Sequence, residues 1–316
     1  MKKGGTVNKP KVEESQKAVS SASSSASRHG PELEAYLERE AIELRMSQVK
    51  HRILVLSGKG GVGKSTVACY LSLSLALAGR RVGLLDVDIH GPSIPKMLGL
   101  EGRTPEITPR TMLPISYGKN LKVMSMGFLL PSDRDAVIWR GPLKMGAIKQ
   151  FLRDVEWGPL DYLVIDSPPG TGDEPLSVCQ LIPARRQGST FLDGALIVTT
   201  PQELSLVDVR KSISFCRKLQ MPVLGVIENM SGFVCPNCGH ETQIFKSGGG
   251  ERMAREMGVP FLGQIPIDAR VVDASDAGES YLAAYPDSPA ASAFNRAIQP
   301  ILNMKRETED AKKVSG

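Results

Sequence analysis

From residue 52 onward the chain alternates short, continuous apolar runs with longer stretches of helical periodicity. The runs are RILVLS, RVGLLDVD, LKVMSM, DYLVIDSP, GALIVTT, PVLGVIENM and PFLGQIP. A strand wetted on one face alternates apolar and polar residues, so continuous runs predict strands covered on both faces. Between them, STVACYLSLSLALAG, residues 204 to 220 and residues 248 to 257 read as helices, the first closing at Gly79. Strand and helix in alternation predict the α/β class, with a doubly wound, mostly parallel sheet. Ligands of such sheets bind at the carboxyl ends of the strands. No internal repeat is evident.

The pattern differs at both ends. Residues 1 to 30 contain VSSASSSASR and read as a disordered Ser-rich tail, with too little apolar surface to offset its ordering entropy. Residues 31 to 50 predict an amphipathic helix that packs on the main domain. Pro31 suits its first turn, and Leu33, Leu37, Ala41 and Leu44 recur at helical spacing. The main domain spans 51 to 304, and 305 to 316 is a polar C-terminal tail.

Charge sharpens this division. The net charge of the 316-residue chain is +5. The first 30 residues hold six Lys/Arg against two Asp/Glu, which leaves the rest near neutrality. With aromatics at 5% as well, a nucleic-acid surface is not expected, and the basic tail reads as a solvated segment. No apolar run is long enough to span a bilayer, and no apolar core of a secretory signal is visible. Glu13 and Glu14 argue against a mitochondrial presequence, so a cytoplasmic location without stable membrane binding is the expectation.

The strongest chemistry is SGKGGVGKST, residues 57 to 66. Gly58, Gly63, Lys64 and Ser65 satisfy the phosphate-loop pattern. Glycines let successive N–H groups point at phosphate oxygens, and the following helix adds its positive end. Gly60, Gly61, Val62 and Thr66 complete the loop. Lys64 would supply charge to the outer phosphates and Ser65 a hydroxyl to Mg²⁺. Carboxylates fall at later strand ends: Asp86 and Asp88 in LLDVDIHGPS, Asp166 in YLVIDSPPGTGDE. Together they read as a Mg²⁺–nucleotide site, with Gly170 and Gly172 as hinges of a loop able to sense the γ-phosphate. Lys59 is required by no generic phosphate loop.

GKGGVGKST, DVDIHGPS and DSPPGTGDE together resemble the deviant Walker A ATPases, a class that includes Min septum-site ATPases and the nitrogenase iron protein. The resemblance implies an ATP-sandwich homodimer in which Lys59 reaches the partner's nucleotide, as an arginine finger does elsewhere. It also implies that Asp88 orients or activates the attacking water and that Asp166 holds Mg²⁺ through water, with Asp86 at most supporting the metal's surroundings.

Of five cysteines, Cys69, Cys179 and Cys216 fall singly in apolar helical patterns and read as small hydrophobes. Cys235 and Cys238 form the C-x-x-C of GFVCPNCGHE. Alone, this motif fits half a zinc ribbon, a redox dithiol or a chance spacing. A two-fold dimer would place four thiolates around one centre, suited by count to Zn²⁺ or to a [4Fe–4S] cluster. His240 reads as a turn residue and Gly248 to Gly250 as the turn leading into a helix.

The segment IENMSGFVCPNCGHETQIFKSGGGERMAREMGVPFLGQIPID resembles the Mrp/ApbC iron–sulfur carrier ATPases, and with the ATPase motifs the similarity spans roughly residues 50 to 300. It implies that Cys235 and Cys238 of each subunit hold a labile cluster bridging the dimer. It further implies that Asn229 and the stretch from Pro266 to Asp268 border adenine. Some relatives carry an N-terminal cysteine cluster, but no cysteine here precedes Cys69; many carry a small N-terminal α/β domain, where this chain shows a tail and one helix. The function implied is an ATP-dependent iron–sulfur carrier that passes its cluster to apoproteins. A positioning ATPase and a zinc-stabilised, nucleotide-switched adaptor are the alternatives. The polar ending KRETEDAKKVSG lacks the apolar anchors of a membrane-binding helix and disfavours the first of these.

Overall fold

The computed structural model describes residues 30 to 304, except Pro31, His90, Arg110, residues 130 to 140, Pro183, residues 186 to 188, Phe191 and Pro236. The two tails read from the sequence, and the role given to Pro31, lie outside the described residues.

Nine strands form one sheet: β1 (Val49–Ser57), β2 (Val82–Asp86), β3 (Ile115–Tyr117), β4 (Leu121–Ser125), β5 (Leu160–Asp166), β6 (Gly194–Thr199), β7 (Val223–Val234), β8 (Glu241–Thr242) and β9 (Phe261–Ile267). Their spatial order is β8-β7-β6-β1-β5-β2-β4-β3, with β9 also pairing on β7. All pairings are parallel except those of the short edge strands β3 and β8. The continuous apolar runs have their expected consequence, since Ile53 to Leu56, Leu84, Leu85, Leu163 to Ile165 and Ala195 to Val198 are all buried.

The order places β5 between β1 and β2, and the register does the rest. Asp166 lies opposite Val55 on one side and Asp86 on the other. Two carboxylates and the start of the glycine loop therefore meet at one end of the sheet, where the strands point their carboxyl ends. Helices α2 (Lys64–Leu77), α3 (Gly141–Asp154), α4 (Asp173–Leu181), α5 (Glu203–Lys218) and α6 (Gly249–Glu256) follow their strands. Cys69 and Cys216 are buried in this packing, and burial pushes the Cys216 and Cys179 thiols up to about 12. Thiols held protonated are poor nucleophiles and metal ligands, so these cysteines act as packing groups.

The N-terminal helix α1 runs over residues 32 to 47 and differs from expectation in its contact face. Ile42 and Met46 are buried, whereas Leu33, Leu37 and Leu44 are exposed by 57%, 57% and 67%. The helix is turned by its polar contacts. Glu38 accepts from Lys149 Nζ at 2.8 Å, and the buried Arg52 guanidinium donates to the Met46 carbonyl at 3.0 Å. Residues 38, 42 and 46 share one face at i, i+4 spacing, and that face meets the domain. β1 also begins at Val49 rather than Arg52, because Val49 and His51 pair with Leu160 and Tyr162.

Candidate nucleotide and thiolate site

The glycine loop is held in shape from outside. Gly63 sits in the left-handed region at φ 84°, and a Cβ there would fall 2.2 Å from Asn229 Nδ2. A Cβ on Gly58 would fall 2.5 Å from the Asp208 backbone. Only glycine fits either place, because in both the neighbour is already in contact. Asn229 Nδ2 in turn donates to the Val62 carbonyl at 3.0 Å, which ties β7 to the loop. α2 begins at Lys64, so its N-terminal N–H groups face the loop's concavity.

Lys64 is buried, with Nζ 2.6 Å from Asp166 Oδ1, 3.6 Å from Asp88 Oδ2 and 3.2 Å from Ser65 Oγ. Asp86 is fully buried and accepts the Asp88 N–H at 3.0 Å and the Ser125 hydroxyl at 2.8 Å. Both hydrogen bonds favour its ionised form, yet burial, together with the neighbouring charge of Asp166, pushes its pKa up to about 8. Burial likewise raises Asp166, against the opposing pull of Lys64. Asp166 Oδ2 is buried with no hydrogen-bond partner. An oxygen left open beside a serine hydroxyl and a second carboxylate fits a hydrated Mg²⁺, which takes oxygen ligands and keeps several waters. The site residues expected around the phosphates thus converge. Lys59 is half-buried, its carbonyl accepting from the Ser57 hydroxyl at 3.0 Å, and among the described residues no carboxylate pairs with it.

The cysteine pair sits on a hairpin that leaves the end of β7. The Cys235 N–H donates to the His240 carbonyl and the Gly239 N–H to the Cys235 carbonyl, each at 2.9 Å. N–H groups of Cys238 and Asn237 point at the Cys235 sulfur and lower its pKa. Such a turn favours the thiolate, the form in which a cysteine binds metals or acts as a nucleophile. His240 serves the turn through its backbone. Among the described residues no group of three or more His, Cys, Asp or Glu is placed to hold a metal, and this hairpin presents two thiols.

Glu228 was not singled out by the sequence reading. It is fully buried in the middle of β7, and it accepts the Ser231 hydroxyl at 2.6 Å, the Gly248 N–H at 2.9 Å and the Gly250 N–H. It therefore pins both feet of the cysteine hairpin and caps α6, whose preceding Gly248 is left-handed. A glutamate inside an otherwise apolar strand run was the available signal. Glu228→Ala would leave several buried donors unpaired, and a loss of about 3 kcal/mol in urea unfolding is the expected result.

Pro266, within β9, and Asp268, just beyond it, lie in the wall of a cleft of about 690 Å³ that also includes Cys235. The Asp268 carboxylate is already engaged, by Arg270 at 2.9 and 2.6 Å and by the Tyr281 hydroxyl at 2.7 Å. Any ligand there meets its backbone rather than a free acid.

A parallel doubly wound sheet carrying this loop and these strand-end carboxylates defines a P-loop NTPase, an enzyme that hydrolyses nucleoside triphosphates. Residues 48–302 match the ParA family profile described as NUBPL iron-transfer P-loop NTPase, and the chain belongs to that family. A nucleotide-binding protein from Archaeoglobus fulgidus, solved in complex with ADP, is 42% identical over 76% of this chain and 91% of its own, with a TM-score of 0.66. Septum-site protein MinD from Pyrococcus horikoshii, solved with Mg-ADP, is 23% identical over 84% and 97%, with a TM-score of 0.55. MinD in the MinC:MinD complex of Aquifex aeolicus is 21% identical over 81% and 96%, with a TM-score of 0.57. The last two likenesses concern the fold. No helix among the described residues is long and apolar enough to cross a membrane.

Proposed function

We propose that this chain is an ATP-dependent iron–sulfur carrier that works as a homodimer, holds a [4Fe–4S] cluster on Cys235 and Cys238 of both subunits, and passes it to apoproteins in the cytoplasm. The observation that carries the reading is the Cys235 turn, with its thiolate favoured by two N–H groups and two thiols on the hairpin, in a member of an iron-transfer NTPase family. A cluster with four thiolate ligands then needs a second copy, which a two-fold axis supplies. Lys59, unpaired by carboxylates of its own chain among the described residues, is the group such a copy would bring to the partner's nucleotide.

In this reading Gly58 to Thr66 cradle the phosphates, while Ser65, Asp88 and Asp166 surround Mg²⁺. Mg²⁺ would offset charge on the β- and γ-oxygens. Asp88 orients the attacking water. Asn229 and the Pro266–Asp268 stretch border the base. Lys64 must leave Asp166 to reach the phosphates, which frees a carboxylate oxygen as the nucleotide arrives.

The test is anaerobic purification with iron, sulfide and zinc analysis. About four iron and four sulfide per dimer are expected, and the Cys235→Ser, Cys238→Ser protein should retain neither. Stoichiometric zinc without sulfide would overturn the carrier reading in favour of a zinc-stabilised adaptor. A full cluster on the double variant would overturn the ligand assignment.

A further inference from the structure

Helix α1 has two apolar faces, and one of them meets the domain. Glu38, Ile42 and Met46 lie on that side, where Lys149 Nζ sits 2.8 Å from Glu38 and Arg45 donates to the Arg153 carbonyl at 3.2 Å. Leu33, Leu37 and Leu44 centre about 160° away at 100° per residue, on the opposite side. All three are exposed, as is Tyr36 beside them, and residues 32 to 37 are exposed without exception. One exposed leucine on a surface is ordinary, but four large apolar side chains on one helix face mark a contact surface. The stripe from Leu33 to Leu44 is about 17 Å long. Leu33, Leu37, Glu40 and Leu44 follow one another at intervals of four, three and four, which is the spacing of a coiled-coil seam. A cleft of about 540 Å³ opens on one flank, lined by Glu34, Ala35, Leu37, Glu38 and Arg153. The helix enters β1 at its amino end, away from the phosphate loop, so the stripe is no part of the nucleotide site.

Charge selects the occupant. Residues 32 to 47 carry five glutamates against two arginines, and Glu40 stands inside the stripe. Helices that lie on membranes carry lysine and arginine around their apolar face, so this one is of the wrong sign for an anionic lipid surface. A second copy brings the same negative balance and buries Glu40 against its own image or an apolar neighbour, without a cation. The chain's own residues 1 to 29 are basic but contain no Leu, Ile, Phe, Tyr or Trp to fill the seam. We propose that the outer face of α1 docks a basic amphipathic helix of a protein partner. That helix packs its apolar seam on Leu33, Leu37 and Leu44 and sets a lysine or arginine against Glu40. The leucines give the contact its area, and the buried charge at one seam position fixes its register and its choice of partner.

The experiment is fluorescence anisotropy of a labelled synthetic peptide against the full-length protein. The peptide has about three heptads, with leucine at the seam positions, lysine at the flanking ones and one central seam lysine to meet Glu40. Binding to the parent is expected. Leu37→Gln with Leu44→Gln should weaken it at least about tenfold, while the urea midpoint and ATP turnover stay at parental values. Glu40→Lys should weaken it by a similar factor, and exchanging the peptide's central lysine for glutamate should restore most of the loss in that variant alone. This reciprocal swap separates docking on α1 from general attraction of a basic peptide to the protein. Equal binding by the parent and the double leucine variant would overturn the proposal, as would a Glu40→Lys loss that the swapped peptide does not recover. Two further measurements test the other occupants. Sedimentation should give the same association state for the parent and the leucine variant, and a dimer lost with the leucines would assign the face to a second copy instead. Neither protein should pellet with anionic phospholipid vesicles, and pelleting that needs Leu37 and Leu44 would assign it to a membrane. None of these outcomes depends on a cluster or on ATP, so the proposal stands or falls apart from the carrier reading.

Discussion

A Lys59→Ala protein is expected to hydrolyse ATP on the order of 10³-fold more slowly than the parent while binding ADP with unchanged affinity. The two lysines of the loop explain the split. Lys64 is buried against Asp166 at 2.6 Å and belongs to its own subunit's site. Lys59 has no carboxylate partner among the described residues, and it is followed by Gly60 and Gly61, which are exposed and border open space. Its backbone is fixed by the Ser57 hydroxyl at 3.0 Å while the loop tip faces outward. A charge presented in this way contributes little to ground-state binding at home. It acts when a partner's developing negative charge comes within reach, so the loss appears in turnover and not in ADP affinity. The decisive measurement is complementation. Lys59→Ala keeps a nucleotide site and lacks the finger, whereas Lys64→Met keeps the finger and lacks the site. In a two-fold dimer each mixed pair rebuilds one working site, so an equimolar mixture should recover about a quarter of parental activity. A mixture no more active than its components would show that Lys59 acts within its own chain.

The parts of the fold and candidate site most legible in the sequence are those governed by local backbone chemistry. The glycine loop is legible because close approach at Gly58 and Gly63 excludes every other residue, and it announces itself between a strand and a helix. The sheet was legible because burial on both faces leaves unbroken apolar runs. What the sequence concealed depends on contacts distant along the chain. Leu33, Leu37 and Leu44 have sound helical spacing, but ion pairs from Glu38 and a hydrogen bond from Arg52 turn a different face inward. Spacing defines a stripe and does not say which neighbour claims it. Glu228 escaped notice for the same reason, since its donors at Gly248 and Gly250 lie some twenty residues downstream. Asp86 looked like an accessory acid; its register opposite Asp166 makes it half of a buried carboxylate pair.

That pair makes the strongest prediction about stability. Lys64→Met removes the cation that pairs with Asp166 and, among the described residues, lies beside the two fully buried carboxylates Asp86 and Asp166. Breaking a buried ion pair from one side typically costs about 3 to 5 kcal/mol, because the remaining charge is left without compensation. The carboxylates can escape by staying protonated, and this sets the pH dependence. Asp86 already has its pKa pushed up to about 8 by burial and by Asp166, far above an unfolded aspartate near 3.9. Between those values the folded state binds more protons than the unfolded state, so stability falls as pH rises through the window and is greatest towards its acid end. The parent protein should show that slope, moderated by Lys64. The Lys64→Met protein should show it steeply, with a urea midpoint close to parental near pH 5.5 and several kcal/mol of stability lost by pH 8.5. Nucleotide turnover should fall at least about 10²-fold at every pH, since the phosphate charge partner is gone. Adding Asp86→Asn to Lys64→Met removes one titrating acid without emptying its place, and it should restore much of the stability at pH 8.5 while restoring no turnover. Urea unfolding at pH 5.5, 7 and 8.5 for the three proteins decides the matter. A flat pH profile for Lys64→Met would mean that the two acids are hydrated and not buried against each other, and complementation with Lys59→Ala is accordingly best measured near pH 6.5, where the lysine variant remains folded.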